Sequence, residues 1–365
     1  MIINTTSENF LDIVRNTTLD LPKRWDGGNF NATLSSLFTH YQEILLSNDI
    51  HRTDVNKVKT ICDGILKSIE QYYKGHPTEA FKEINKVMRK LMIQPLTIYR
   101  KSGWTDAFSA NDPLKLFRIR NVQTNTIYNR KDIFHTPYNL RSKVSTCRYS
   151  ISGFPSLYLG TSLELCCEEA KIESFNDLTI ASRFRINRNM NANEGYQIDV
   201  LELALKPKDF LNTSDINTSF RYIENPYRRR TFNEVDLNEV GIMSKYLYWY
   251  PLIAACSYIR VNKNDPFASE YIVPQLLMQW IRCQFTSNKL FGIRYFSCAS
   301  ERASELGFNY IFPVSGEPYV QNSNYCDVLS HSLLLTAPVY LHEYDSVEVC
   351  ERHLINMSDD QFQRI

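Results

Sequence analysis

Few of the usual chemical signposts are present in this chain of 365 residues. Its nine cysteines (Cys62, Cys147, Cys166, Cys167, Cys256, Cys283, Cys298, Cys326 and Cys350) are odd in number and contain no CxxC pair, so neither a disulfide framework nor a zinc site is suggested. Several stand inside apolar runs, LELCCEE and PLIAACSYI among them, where free cysteine serves as a small core residue in reducing surroundings. Neither sign of charge dominates: 41 Lys and Arg face 40 Asp and Glu, so no global field gathers nucleic acid or an anionic membrane, and any bound anion must be held by local groups. Long apolar runs are missing too. The most apolar stretch, Leu247 to Ile259, falls short of the roughly 20 residues that a membrane-spanning helix needs and reads as a buried helix. The opening MIINTTSENF has no basic stretch followed by an apolar core, so no signal peptide is expected. Together these absences predict a cytoplasmic protein with no membrane partner, no nucleic-acid partner and no metal.

What is there falls into two patterns. From Thr33 to Met92 apolar residues recur at three and four: Leu34, Leu37, Phe38, Tyr41; then Val55, Val58, Cys62, Ile65, Ile69; then Phe81, Ile84, Met88, Leu91. This is helical periodicity, with Asp54 and Thr78 at expected N-caps and Gly75-His76-Pro77 between the second and third helices. Beyond Pro95 and the polar KSGWTDAFSANDP, short strand-like runs take over: LFRIR at 116–120, LYLG at 157–160, a run from Ile198 to Leu205, LFGIRYFS at 290–297 and FNYIF at 308–312. Helical pieces lie among them near 162–171, 243–258 and 266–285. The expected organisation is α+β: a helical domain over 1–110, for regulation or assembly, then a domain with a mixed sheet over 111–365. The apolar N-terminal helices are a candidate surface for a homo-oligomer. The basic cluster Arg228 to Arg230 reads as a solvated loop.

Three places carry chemistry. Strand alternation along LFRIR puts Phe117 and Ile119 on one face and Leu116, Arg118 and Arg120 on the other. Arginine forks suit a diphosphate, because one planar group holds two oxygens; an edge strand with solvated arginines has the same pattern. In RYSISGFPSLYLGTSLELCCEEA, residues 148–170, a turn at Gly153 and Pro155 leads to a strand and then to a helix. Thr161 and Glu164 match a capping box there. Glu169 falls with Leu165 and Cys166 on the apolar side of that helix, so it is either paired structurally or used for chemistry. Tyr158 points away from Leu157 and Leu159, free to stack on a flat ring or to fill space.

The order of these pieces is more specific than any one of them. Phe117-Arg118, then Arg148-Tyr149-Ser150, then Gly153 to Leu159, then Glu169 eleven residues after Tyr158, and much later Gly292 to Ser297 resemble the RES domain family over roughly residues 111–340. FHTPYNLR before Arg148 and EYIVPQLL at 270–277 add to the likeness. The chain departs from the family at the second arginine, where a G-x-R-W-N turn is replaced by STCRYSISG, with Tyr149 for Trp and Ser150 for Asn.

What the resemblance implies is an ADP-ribosyltransferase-like fold and an enzyme that consumes NAD as substrate, with no other cofactor, as the toxin of a toxin–antitoxin pair or an anti-phage system. It implies Arg118, with Arg120 as alternate, and Arg148 on the diphosphate, Tyr158 at the nicotinamide, Tyr149 in the NAD-binding set, Glu169 as the acid and Ser297 orienting ribose or Glu169. It also implies an antitoxin or immune-system partner. Water, phosphate or a macromolecule would make the enzyme an NAD glycohydrolase, an NAD phosphorylase or an ADP-ribosyltransferase; a module that binds nucleotide without turnover is the non-enzymatic alternative. His135 in FHTP reads as structural.

Overall fold

Apolar residues at every third or fourth position select helix over residues 30–91, because only that period gathers them on one face. The structure is a computed structural model and describes residues 3–96, 114–123, 127–172, 178–187, 197–211, 241–262, 265–284, 289–314 and 324–365. The Arg228 to Arg230 cluster and the whole of KSGWTDAFSANDP lie outside the described residues. The longer helices are α1 (Ser7–Val14), α2 (Phe30–Ser47), α3 (Arg52–Tyr73), α4 (Pro77–Leu91), α5 (Leu163–Ala170), α6 (Gly241–Ala255), α7 (Ile272–Cys283) and α8 (Val347–Asn356). The strands are β1 (Leu116–Asn121), β2 (Ser156–Gly160), β3 (Thr179–Ile186), β4 (Gln197–Leu203), β5 (Lys289–Phe296), β6 (Phe308–Pro313), β7 (Leu333–Leu335) and β8 (Val339–Tyr340). Helices plus one eight-stranded sheet, with a helical N-terminal region, make the α+β class.

Helices α3 and α4 begin earlier than expected. His51 caps α3 through its ring, which accepts from Thr53 N at 3.3 Å, and Asp54 sits inside the first turn, where a carboxylate favours the helix dipole and meets Lys57 at 2.5 Å. His76 precedes α4, and Pro77 takes the first helical position, where its missing N–H costs nothing.

The chain divides into two compact units. The first comprises Met1–Lys101, Cys147–Tyr149 and Leu201–Trp280. The expected division near residue 110 would separate α6 from the N-terminal helices; the first unit contains both. The reason is chemical. Helix α6 is apolar all round, with Tyr246, Leu247, Trp249, Tyr250, Leu252 and Ile253 buried, and such a helix must be covered on every side. Its polar tips and backbone are satisfied by the N-terminal region: Tyr41 Oη donates to Leu247 O at 2.7 Å, Tyr250 Oη to Leu19 O at 2.9 Å and Trp249 Nε1 to Gln94 O at 2.9 Å. The rings of Tyr41 and Tyr250 lie 4.6 Å apart.

The second unit comprises Ser102–Thr146, Ser150–Val200 and Ile281–Ile365. The strand order of the sheet is β4-β5-β6-β2-β1-β3-β7, with β8 also on β3. Every pairing whose register is described is antiparallel: β1 with β2 and β3, β2 with β6, β3 with β7 and β8, and β5 with β6. Phe117 and, partly, Ile119 pack against Leu163 and Cys166 of α5 and Cys350 and Leu354 of α8, so the alternation along β1 holds. Strand β3 and helix α8 have no counterpart in the sequence reading. Arg183 and Arg185 interrupt the apolar pattern of β3, and their partners lie some 170 residues later. Arg183 Nη1 donates to Ile355 O at 2.7 Å and Leu354 O at 3.3 Å at the C-terminal end of α8, Arg185 pairs with Asp359, and both guanidinium groups lie over the ring of Phe362. No helix among the described residues is long and apolar enough to cross a membrane.

Because Trp249 is fully buried and tied to Gln94, Trp249→Ala is expected to destabilise the first unit by about 3–5 kcal/mol. Urea unfolding followed by far-ultraviolet circular dichroism checks this; a loss below about 1 kcal/mol would show that α6 is not part of that core.

Candidate active site

Helix α5 leaves the sheet at the end of β2, and three short-range devices fix where it does so. Thr161 N donates to Phe308 O at 2.9 Å, and Thr161 Oγ1 accepts from Phe308 N at 2.8 Å, which locks the turn to the start of β6. Ser162 is the N-cap: its Oγ accepts from Leu165 N at 3.1 Å and donates to Leu306 O at 2.7 Å. Glu351 of α8 places Oε2 2.7 Å from Leu163 N, an acidic group on the positive end of α5. Gly307 makes the close approach feasible, since its φ is +138° and an added Cβ would stand 2.4 Å from Thr161 Oγ1. The expected Thr161–Glu164 capping box is therefore replaced by Ser162, one residue on. Glu164 instead takes Arg302 Nη2 at 2.5 Å, and Arg302 Nη1 meets Glu168 at 3.0 Å on the exposed face.

Glu169, in the last turn of α5, differs from its expected placement on the buried face: the residue is exposed. Its carboxylate is nevertheless held. Ser297 Oγ donates to Glu169 Oε1 at 2.6 Å and Asn309 Nδ2 donates to the same oxygen at 2.7 Å. Ser297 is fully buried just after β5, and its hydroxyl oxygen accepts from Ala299 N at 3.1 Å, so the hydroxyl hydrogen is left for Glu169. Glu169 Oε2 has no hydrogen bond among the described residues. The arrangement is an oriented carboxylate with one oxygen anchored by two donors and the other open.

Five of the candidate site residues named from sequence lie in the second unit, and four of these are joined in pairs. Glu169 meets Ser297, as above. Arg118 meets Tyr158 through a hydrogen bond from Nη1 to Tyr158 O at 2.9 Å. Tyr158 lies half-buried on β2, opposite to the buried Leu157 and Leu159. Arg120 goes elsewhere, its Nη1 donating to Asp132 O at 2.5 Å. Arg148 and Tyr149 belong to the first unit. There Arg148 donates to Tyr258 O at 2.6 Å and Cys256 O at 3.2 Å, with its guanidinium 4.9 Å from the centre of the Tyr271 ring, and Tyr149 is buried. Asn309 was missed by the sequence reading. Its signal was available in FNYIF, where a carboxamide stands in a strand whose other side chains are apolar or aromatic.

His135 is structural. It is fully buried, its Nε2 accepts from Cys326 N at 2.9 Å, and its Nδ1 lies 2.8 Å from Thr136 O, a pairing that only the neutral ring with the proton on Nδ1 satisfies. Burial pushes the imidazole down to about 4, the bond to Thr136 opposing and the charge of Arg118 adding to the drop.

In the class of protein so defined, an α+β fold presents a carboxylate anchored by Ser and Asn. The chain is 29% identical over 341 residues to a protein of Bacillus subtilis (strain 168) named "Putative toxin YopC", the match covering 90% of this chain and 70% of that protein. No family model matches the chain, and no solved structure matches it significantly.

The neutral His135 carries a pH dependence. Its ordinary value of 6.5 applies when unfolded and about 4 when folded, so stability is full above pH 6.5 and falls as the pH drops toward 4, by about 2 kcal/mol at pH 5. Urea unfolding at pH 7 and pH 5 is expected to show this drop in the native chain and a smaller one in His135→Gln; equal drops would remove His135 as the cause.

Proposed function

We propose that this chain is a toxin that cleaves the nicotinamide–ribose bond of NAD by hydrolysis or phosphorolysis and so depletes the cell of NAD. The observation that carries the reading is the doubly anchored, solvent-reachable carboxylate of Glu169, with Ser297 as one of its two donors. The resemblance of the motif series to the RES domain family supports it, as does the toxin name of the Bacillus subtilis relative.

The chemistry asks for little. Nicotinamide is cationic in NAD and departs with the bonding pair as a neutral ring, which leaves positive charge on ribose C1 and its ring oxygen. Glu169 stabilises that charge through its open oxygen, an electrostatic effect commonly worth about 3 kcal/mol or more. Tyr158 covers the nicotinamide and Arg118 anchors the diphosphate, supplying orientation from a distance. Water or phosphate then adds to C1 and loses a proton to solvent. Arg120, turned to Asp132, and Arg148 and Tyr149, used within the first unit, have no step in this scheme. Free activity on a central cofactor stops growth, so a protein inhibitor that covers Glu169 belongs to the same reading.

Incubation of the purified chain with NAD, with and without phosphate, followed by mass spectrometry, tests it. Free nicotinamide with ADP-ribose or its phosphate ester is expected. Glu169→Gln should lower the rate at least about 100-fold with the unfolding midpoint unchanged, and Arg118→Ala should raise KM for NAD. Undiminished NAD loss in Glu169→Gln would overturn the assignment, and adenylate-side label appearing on a macromolecule would make the enzyme an ADP-ribosyltransferase.

A further inference from the structure

The geometry points to Asn309 as a positioning residue for Glu169, at the same carboxylate on which the proposed NAD cleavage rests. Asn309 is the second residue of β6, opposite Gly160 of β2 on one side and Tyr295 of β5 on the other, and is 6% exposed. An ionised carboxylate only accepts hydrogen bonds, so the group that meets Glu169 Oε1 at 2.7 Å has to be the amide nitrogen. Ser297 Oγ meets the same oxygen at 2.6 Å. One bond would let the carboxylate swing about it. Two bonds, one from β6 and one from the residue just after β5, fix the position of Oε1 from two directions, and they leave Oε2 as the oxygen presented to a ligand.

The two donors are not equivalent. A serine hydroxyl rotates about a single bond, whereas the Asn309 amide is seated beside Gly160: a Cβ built on that glycine would lie 3.6 Å from Asn309 Oδ1 and 2.7 Å from Cys166 Sγ. Glycine at 160 thus leaves room for the Cys166 thiol beneath the turn, and the amide lies in ordinary contact distance beside it. Asn309 has no contact with the reacting atoms in the proposed scheme; its influence passes through Glu169.

Two measurements on the full chain test this, one of them independent of turnover. In crystals of Asn309→Leu, near in volume and without a donor, the Glu169 side chain is expected to leave its rotamer or populate several. Asn309→Asp keeps the shape exactly as large but opposes one carboxylate to another, so Glu169 is expected to turn away there too; this variant also covers failure of Asn309→Leu to fold. Kinetically, both substitutions should lower kcat for NAD cleavage on the order of 100-fold while KM stays within about threefold. Glu169 retained in one rotamer against Ser297 in both variants, or a loss confined to KM, would overturn the inference. If the native chain leaves NAD intact, the proposed reaction falls while the crystal structures still decide the role of Asn309.

Discussion

Two hydrogen bonds between Thr161 and Phe308 set the geometry on which the rest of the candidate site depends. They join the end of β2 to the start of β6, two strands already paired in antiparallel register from Ser156 with Pro313 to Gly160 with Asn309. With that corner fixed, Ser162 and Glu351 settle the first turn of α5, and the helix needs only two more turns to carry Glu169 to the ends of β5 and β6. The carboxylate is carried by a helix and met by one donor within β6 and one just after β5. Donors held by neighbouring secondary structure keep a small electrostatic group in its orientation.

The same corner explains two glycines. At Gly307 a positive φ and the contact with Thr161 exclude a side chain, and at Gly160 the thiol of Cys166 occupies the space a Cβ would take. Cys166 itself lies 3.4 Å from Phe117 O, and burial and the neighbouring Cys167 hold its thiol protonated well above the ordinary range. It serves as a packing group within the core made by Phe117, Leu163 and Leu354, as the apolar setting of LELCCEE implied.

Much of the secondary structure was legible in the sequence. β1, β2, β4, β5 and β6 stand where alternation or short apolar runs put them, and α2, α3 and α4 follow the three-and-four spacing. β3 was not legible, because Arg183 and Arg185 look solvated until the C-terminal segment supplies the carbonyls, carboxylate and ring that hold them. Of the candidate site, Glu169 and Ser297 were named from their places in a motif series and meet directly. Asn309 carried no motif, and the inward face assigned to Glu169 came from helical periodicity alone, which cannot see that a side chain at a helix end leans toward a neighbouring sheet.

By itself the sequence determined local matters: which segments are helix or strand, that α6 must be buried, that several of the thiols are core groups, and which side of β1 packs. These depend on the period of apolar residues and on neighbours within a few positions. Only the tertiary structure decided that α6 shares a unit with α1 to α4, that Arg148 spends its fork on backbone carbonyls, that Arg118 and Arg120 go to different partners, and that Glu169 is gripped by Ser297 and Asn309. Each of those depends on strand register and chain crossing, which in this chain bring together groups as far as 231 residues apart, and hydrogen bonds act only between atoms that the fold has already made neighbours.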